Sequence, residues 1–465
     1  MKKRSPRKGG IIEGAAMGKL FGTDGVRGRV NETPMTAETA LRIGKAAACL
    51  FRRPGHTSHI IVGKDTRLSG DMVEGALVAG ICSMGVQVTL AGVIPTPAVS
   101  FLAANSRADA GIVISASHNP YYDNGIKIFA GDGCKLPDEK EEAIEKMVLR
   151  NEFQAYLPPA DALGRAMRMD DARGRYIAFL KRTFPQGQTL EGMKIVLDCA
   201  NGATYRVAPD TFLELGAEIK TLFHEPDGKN INLECGSQHP EHLAEEVLRQ
   251  KADCGFAFDG DGDRVIAVDE TGRVLTGDQI LAVCAGVMKE EGILTNNLVV
   301  RTVMSNIGLT LALRRMGIDY VITDVGDRYV LEGMTARGAS LGGEDSGHLI
   351  FLQHHTTGDG ILSALQVLGA MQKKGRRLSE LAAVMTVYPQ VLMNVETRSR
   401  PELSAIPAIS AVIAEVEKIL GDRGRVLVRY SGTQNLCRVM VEGPTREETE
   451  QYCKKITEVV RAELG

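Results

Sequence analysis

Residues 111–129, GIVISASHNPYYDNGIKIF, constrain the fold more tightly than any other stretch of the chain. An apolar β-type run, Gly111-Ile112-Val113-Ile114, ends in the small polar residues Ser115-Ala116-Ser117-His118-Asn119-Pro120. A buried strand fixes where its end lies, and the following loop leaves a hydroxyl reachable. The device recurs downstream. Ala108-Asp109-Ala110-Gly111-Ile112-Val113-Ile114-Ser115 is matched by Ala252-Asp253-Cys254-Gly255-Phe256-Ala257-Phe258-Asp259, and a proline (Pro97, Pro240) precedes a helical stretch ahead of each. The repeat predicts a duplicated α/β domain. A third unit is expected over Leu298–Thr323, with its own loop at Asp324-Val325-Gly326-Asp327-Arg328.

Strand-like and helix-like segments alternate throughout: Ile60–Gly63 as a strand, Ser69–Met84 as a helix and Gly85–Leu90 as a strand. Lys194–Leu197, Val299–Val303 and Tyr320–Thr323 are further β-type runs. This alternation argues for βαβ units and mainly parallel or mixed sheets. A chain of 465 residues is too long for one core, so about two to four domains are expected. Tyr388-Pro389 marks a break before the last strand-rich region.

Composition narrows the function. A formal net charge of −3 gives no electrostatic case for nucleic acid. No apolar run reaches the ~18 residues of a membrane span. The nine cysteines form no Cys-x-x-Cys pair, which fits reduced thiols in a cytoplasmic protein. Residues 1–16 are basic, lack a signal-peptide core and read as a disordered extension, with Met17 an alternative start. The 51 glycines gather in loops that let backbone amides approach anionic ligands.

Five loops carry candidate chemistry. Ser117 needs a base or metal to act as a nucleophile; stored as phosphoserine it would carry about −1.5 to −2 charge, with His118, Asn119 and Lys127 nearby. A polar turn is the plain alternative. Asp259, Asp261 and Asp263 alternate with glycine, so an extended path turns three carboxylates to one side. With no nearby lysine, they would repel one another without a metal. An EF-hand is rejected, because its sixth position, which requires glycine, is Arg264. Mg²⁺ suits few carboxylates plus a phosphate oxygen. Arg429-Tyr430-Ser431-Gly432-Thr433-Gln434-Asn435, with Arg438 on the next strand, reads as a phosphate cradle or a hairpin turn. In Gly343-Glu344-Asp345-Ser346-Gly347-His348, Glu344 and Ser346 are placed to bind sugar hydroxyls, and His348 is either a proton carrier or structural. Gly22-Thr23-Asp24-Gly25-Val26-Arg27-Gly28 puts Arg27 in a glycine-rich loop.

The order of these loops is more specific than any one of them. From about Lys19 onward the chain resembles the α-D-phosphohexomutase superfamily, through residues 21–28 (FGTDGVRG), 115–127 (SASHNPYYDNGIK), 259–264 (DGDGDR), 325–330 (VGDRYV), 343–348 (GEDSGH) and 429–443. The opening loop and YYDNGIK are those of its amino-sugar branch. The resemblance implies three related α/β domains with mixed sheets and a smaller α+β C-terminal domain around a central cleft. The expected bounds are 17–171 with the phosphoserine loop, 172–274 with the metal loop, 275–386 with the sugar loop and 387–465 with the phosphate loop. It implies an isomerase that interconverts glucosamine 6-phosphate and glucosamine 1-phosphate and feeds UDP-N-acetylglucosamine and cell-wall precursor synthesis. The route runs through phosphoserine at Ser117 and glucosamine 1,6-bisphosphate, both intermediate and activator.

The implied site has Ser117, Lys127, Arg27, His118 and His348 in catalysis. One Mg²⁺ is held by Ser117, Asp259, Asp261 and Asp263. The sugar falls to Arg264, Asp327, Glu344 and Ser346, and the distal phosphate to Arg429, Ser431, Gly432, Thr433 and Arg438. The implied partners are small-molecule sugar phosphates, without nucleic acid or membrane; oligomeric state is left open, a homodimer included. The family's phosphate loop, R-P-S-G-T-E-P, is here RYSGTQN, and loss of both prolines should loosen it. Alternatives are a phosphomannomutase/phosphoglucomutase, a non-catalytic sugar-phosphate sensor, or a metal-dependent phosphatase that would release inorganic phosphate.

Overall fold

The computed structural model describes residues 20–22, 24–53, 55–431 and 435–465. The expected extension at 1–16 and the start at Met17 lie outside the described residues, as do Thr23, Gly432 and Thr433.

Three mixed sheets share one arrangement of four strands, which fits the fold class expected from sequence. In each, the first strand pairs in parallel with the second and with the third, and the fourth returns antiparallel beside the third. The sets are His59–Lys64, Gln87–Val93, Ala110–Ile114 and Asp123–Ala130; then Lys194–Asp198, Glu218–Leu222, Cys254–Phe258 and Val265–Asp269; then Leu298–Thr302, Asp319–Thr323, Leu341–Gly343 and Leu349–Phe351. The first sheet adds Val26–Arg29 and Ala166–Arg168 at its edges, and the second adds Val274–Leu275. The central strands Ala110–Ile114 and Cys254–Phe258 are buried throughout, as their unbroken apolar runs require.

This topology corrects the third repeat. It extends past Thr323 to Phe351, and the loop equivalent to residues 115–119 and 259–264 is Glu344–His348, between the third and fourth strands. The 324–328 loop instead follows an edge strand and opens the helix Asp327–Arg337. The helix expected at Ser69–Met84 spans Gly70–Ser83, and the strand expected at Gly85–Leu90 spans Gln87–Val93.

One buried apolar cluster runs from Ile61 to Met385 and crosses all three sheets. The helix Gly360–Lys374 helps to join them. Its N-cap Asp359 accepts from the Leu362 N–H at 2.9 Å and from the Tyr176 hydroxyl at 2.7 Å. The last region is separate: an antiparallel sheet, Gln390–Glu396, Leu436–Glu442 and Arg425–Tyr430, packs on the helices Pro407–Leu420 and Arg446–Leu464 around its own core. Arg429 and Tyr430, expected in a loop, complete the strand. The three equivalent turns lie at the carboxyl ends of parallel strands, where open α/β sheets bind ligands.

Candidate active site

The Ser117 loop is held from beneath. Ser117 has φ +50°, a left-handed conformation unusual for serine. Its N–H donates to Ser115 Oγ at 2.9 Å, and the Ser115 hydroxyl donates to Asp65 Oδ2 at 2.6 Å. Arg67 Nε donates to the same Asp65 oxygen at 2.9 Å. The Arg67 guanidinium also donates to the carbonyls of Ser117 at 2.9 Å, Asn119 at 2.7 Å, Asp123 at 3.1 Å and Pro120. One buried cation thus satisfies the carbonyls of a tight turn, and that holds the strain in place. The Ser117 hydroxyl donates to Asp259 Oδ2 at 2.6 Å and lies 3.3 Å from His118 Nδ1. Ser117 is only 1% exposed, not openly reachable, because the serine and aspartate loops meet face to face.

Asp259, Asp261 and Asp263 are buried and each offers an oxygen within 4.8 Å of the others. Burial, then the charges of Asp263 and Asp261, hold the Asp259 carboxyl well above the usual carboxylate range. Asp261 Oδ1 and Asp263 Oδ1 are buried without a hydrogen-bond partner. Crowded carboxylates with unpartnered oxygens are what a hard divalent cation would satisfy, so the residues present fit Mg²⁺.

The expectation of no nearby lysine is corrected in three dimensions. Lys127 Nζ lies 3.0 Å from Asp261 Oδ2, 3.3 Å from Asp263 Oδ2 and 3.2 Å from Asp24 Oδ2. Thr96 Oγ1 also donates to Asp261 Oδ2, at 2.6 Å. Burial opposes charge on Lys127, yet the three carboxylates outweigh it and hold the ammonium well above its usual pKa. In this arrangement Lys127 is a cation and proton donor. Arg27 pairs with Asp24. The buried Nε atoms of Arg27 and Arg264 lack hydrogen-bond partners, so donors as well as acceptors await a ligand. Arg264 Nη1 donates to His118 Nδ1 at 3.1 Å. Burial, then Arg264 and Arg27, push His118 down to about 4, so it is neutral at pH 7. His348 Nε2 accepts from the Gly358 N–H at 3.1 Å, and its Nδ1 lies 3.8 Å from Asp263 Oδ2. Burial disfavours its charge, but Asp263 prevails and raises its pKa.

Beside this cluster, Glu344 Oε1 accepts from the Gly326 N–H at 3.0 Å. Asp327 pairs with Lys135 Nζ at 2.9 Å, and Lys135 also meets Asp24 Oδ1 at 3.0 Å, so the opening loop and the third sheet share a cation. Ser346 is exposed on the 344–348 turn. Arg429 and Arg438 lie on the C-terminal sheet, directly opposite one another. Two like charges so placed disfavour the pairing unless an anion lies between them. Arg429 Nη2 is 3.9 Å from Met304 Sδ, at the end of the third sheet's first strand. Ser431 is buried, and its N–H donates to the Leu436 carbonyl at 2.8 Å.

Sequence reasoning passed over Asp24, Asp65, Arg67, Thr96, Lys135 and Asn232. Asp24 stood inside a loop singled out for Arg27 alone. Asp65 and Arg67 follow the strand His59–Lys64, at the same strand-end position that singles out Ser117 in the sequence. Lys135 and Asn232 carry no local pattern.

Four family models match in chain order, all described as phosphoglucomutase/phosphomannomutase: α/β/α domain I at residues 18–155, domain II at 174–272, domain III at 276–388 and the C-terminal domain at 392–459. A protein of Syntrophus aciditrophicus named phosphoglucosamine mutase is 69% identical over 449 residues, 97% of this chain and 100% of that one. One of the same name from Syntrophobacter fumaroxidans is 57% identical over the same shares. Among solved structures, a phosphoglucomutase/phosphomannomutase family protein from Burkholderia thailandensis superposes with TM-score 0.79 at 24% identity, covering 96% of this chain and 97% of that one.

Proposed function

The chain belongs to the phosphoglucomutase/phosphomannomutase family, and on that premise we propose how it interconverts glucosamine 6-phosphate and glucosamine 1-phosphate. It is an isomerase, an intramolecular phosphotransferase; relatives at 53–69% identity carry the name phosphoglucosamine mutase. The observation that carries the mechanism is the Ser117 hydroxyl, 2.6 Å from Asp259 in a pocket of unpartnered carboxylate oxygens and arginine nitrogens.

Ser117 carries the phosphoryl group. Glucosamine 6-phosphate enters with its phosphate between Arg429 and Arg438, helped by Ser431, Gly432 and Thr433, while Glu344, Ser346, Asp327 and Arg264 orient the sugar. The 1-hydroxyl attacks the phosphorus on Ser117; the serine P–O bond breaks as the sugar P–O bond forms. Lys127, as an ammonium, donates toward the departing serine oxygen. Arg27 and Arg264 stabilise the equatorial oxygens, and neither readily deprotonates. His348 takes the hydroxyl proton at Nε2, giving up the Gly358 N–H, and Asp263 beside Nδ1 steadies the imidazolium that forms. The 1,6-bisphosphate then turns end for end and returns its 6-phosphate to Ser117, releasing glucosamine 1-phosphate. Mg²⁺ held by Asp259, Asp261, Asp263 and the phosphoserine would supply charge neutralisation for the transferring group. Free cysteines support a reducing, cytoplasmic setting, and no helix among the described residues is long and apolar enough to cross a membrane.

Phosphopeptide analysis should find phosphate on Ser117. With Mg²⁺ and a trace of bisphosphate, turnover should be faster on glucosamine 6-phosphate than on the glucose or mannose analogue, and absent in Ser117→Ala. Normal turnover in that variant removes Ser117 from the mechanism; equal turnover on all three sugars removes the amino-sugar assignment.

A further inference from the structure

The Ser117 carbonyl accepts two hydrogen bonds, one from each of two α/β units. Arg67 Nη2, from the first unit, donates at 2.9 Å. Asn232 Nδ2, from the second, also donates at 2.9 Å, and reaches the Asn119 carbonyl at 3.2 Å. Arg67 holds the loop within its own unit. Asn232 ties it to the unit that bears the aspartates.

The backbone is shaped to deliver this amide. Asn232 has φ +57°, and its N–H donates to the Ala200 carbonyl at 2.9 Å. The metal loop closes on the same point. A Cβ on Gly260 would lie 2.6 Å from the Ser117 carbonyl oxygen and 2.7 Å from Asn232 Nδ2. Gly260, the Ser117 carbonyl and the Asn232 amide therefore pack without room for one further carbon. The Gly260 carbonyl in turn accepts from the Ala203 N–H at 2.8 Å.

We propose that Asn232 is a positioning residue for phosphoryl transfer: it sets the Ser117 loop against the Asp259–Asp263 loop, so that the phosphoserine is competent when the two units are docked. The inference rests on the mutase reading of Ser117. Asn232 donates to backbone carbonyls, so its loss should slow the chemical step and leave substrate affinity in place. A displacement of about 1 Å at a reacting centre costs about 10²-fold in rate.

The test uses full-length protein phosphorylated with the sugar 1,6-bisphosphate and mixed with glucosamine 6-phosphate in a rapid-quench single turnover. Asn232→Gly tolerates φ +57° and removes the amide; Asn232→Asp keeps the shape and replaces donors with an acceptor. Both should lower the transfer rate about 10- to 100-fold, with KM within about twofold. Thr66→Val is the control: it removes another bond between the same units, Thr66 Oγ1 to the Asn201 carbonyl at 2.6 Å, away from Ser117. It should transfer at the wild-type rate. Wild-type rates in both Asn232 variants, a loss seen only in KM, or an equal loss in Thr66→Val overturns the proposal. If the wild-type protein itself passes no phosphate from Ser117, the mutase reading falls and this inference with it.

Discussion

Removing Lys127 tests the electrostatics of the site most directly. Its ammonium is buried and lies 3.0–3.3 Å from Asp24, Asp261 and Asp263. Lys127→Met deletes the charge and shortens the side chain by one atom. Breaking a buried ion pair by removing one partner costs about 3–5 kcal/mol, because the other charge stays buried. Asp24 would keep Arg27 and Lys135, and Asp263 would keep His348 and a long contact to Arg264 at 3.9 Å. Asp261 would be left with Thr96. The loss should therefore equal about one broken pair, about 3–5 kcal/mol, in chelator. A divalent cation at the same carboxylates supplies the missing charge. It stabilises either protein by about 2.7 kcal/mol at a hundred times that protein's own dissociation constant, so the gap narrows only through the difference in affinity, by about 1.4 kcal/mol for each tenfold by which the variant binds more tightly. Chemical denaturation of both proteins in chelator and in Mg²⁺ reads this out: the gap should be wide in chelator and narrow in Mg²⁺ by about 1.4 kcal/mol or more, the mark of at least tenfold tighter binding by the variant, while turnover stays lost in the variant. An equal gap in both conditions, or none in chelator, would refute the idea that Lys127 and the metal balance the same carboxylates.

Arg429→Ala should raise KM about 10- to 150-fold, from about 1.5–3 kcal/mol for a charge-assisted contact, and let the bisphosphate escape before it turns; added bisphosphate should partly restore the rate, and unchanged KM and release would reduce the loop to a hairpin turn. Asp198 gives a pH prediction. Burial raises it from 3.8 to about 6, against the N–H groups of Ala200 and Gly236 that favour its charged form. A carboxyl with a raised folded pKa binds its proton more tightly in the fold, so its contribution falls as pH rises from about 4 to 6, by about 3 kcal/mol. Denaturant melts of Asp198→Asn should lack that share of the slope; identical slopes across pH 4–6 would exclude it.

What the sequence disclosed and what it hid divide along one physical line. Ser117 and the aspartates were legible because each follows a buried apolar strand and precedes an antiparallel return, so strand, polar turn and return strand are contiguous in the chain. The third such turn, Glu344–His348, reads as following a small-residue strand but not as the turn that completes the third repeat. Its strand, Leu341–Gly343, has three residues, two of them glycine, and carries only a weak β-type signal. The apolar runs at 299–303 and 320–323 were louder and drew the repeat away from its proper end.

The residues that hold the chemistry in place obey a different rule. Lys127 meets Asp261 across 134 residues, and Asn232 meets Ser117 across 115. No periodicity encodes such pairs; the packing of one sheet against another does. Their sources still follow the topology. Asp65 and Arg67 leave the end of the first strand in the first sheet, and Ala200, which anchors Asn232, leaves the equivalent end in the second. In each of these two units the third strand delivers the reacting loop and the first strand delivers its support, side by side in a parallel pair. The repeat thus multiplied a loop together with its brace. A search of such a chain for functional residues should therefore read the ends of both strands, even where one of them carries no reactive side chain.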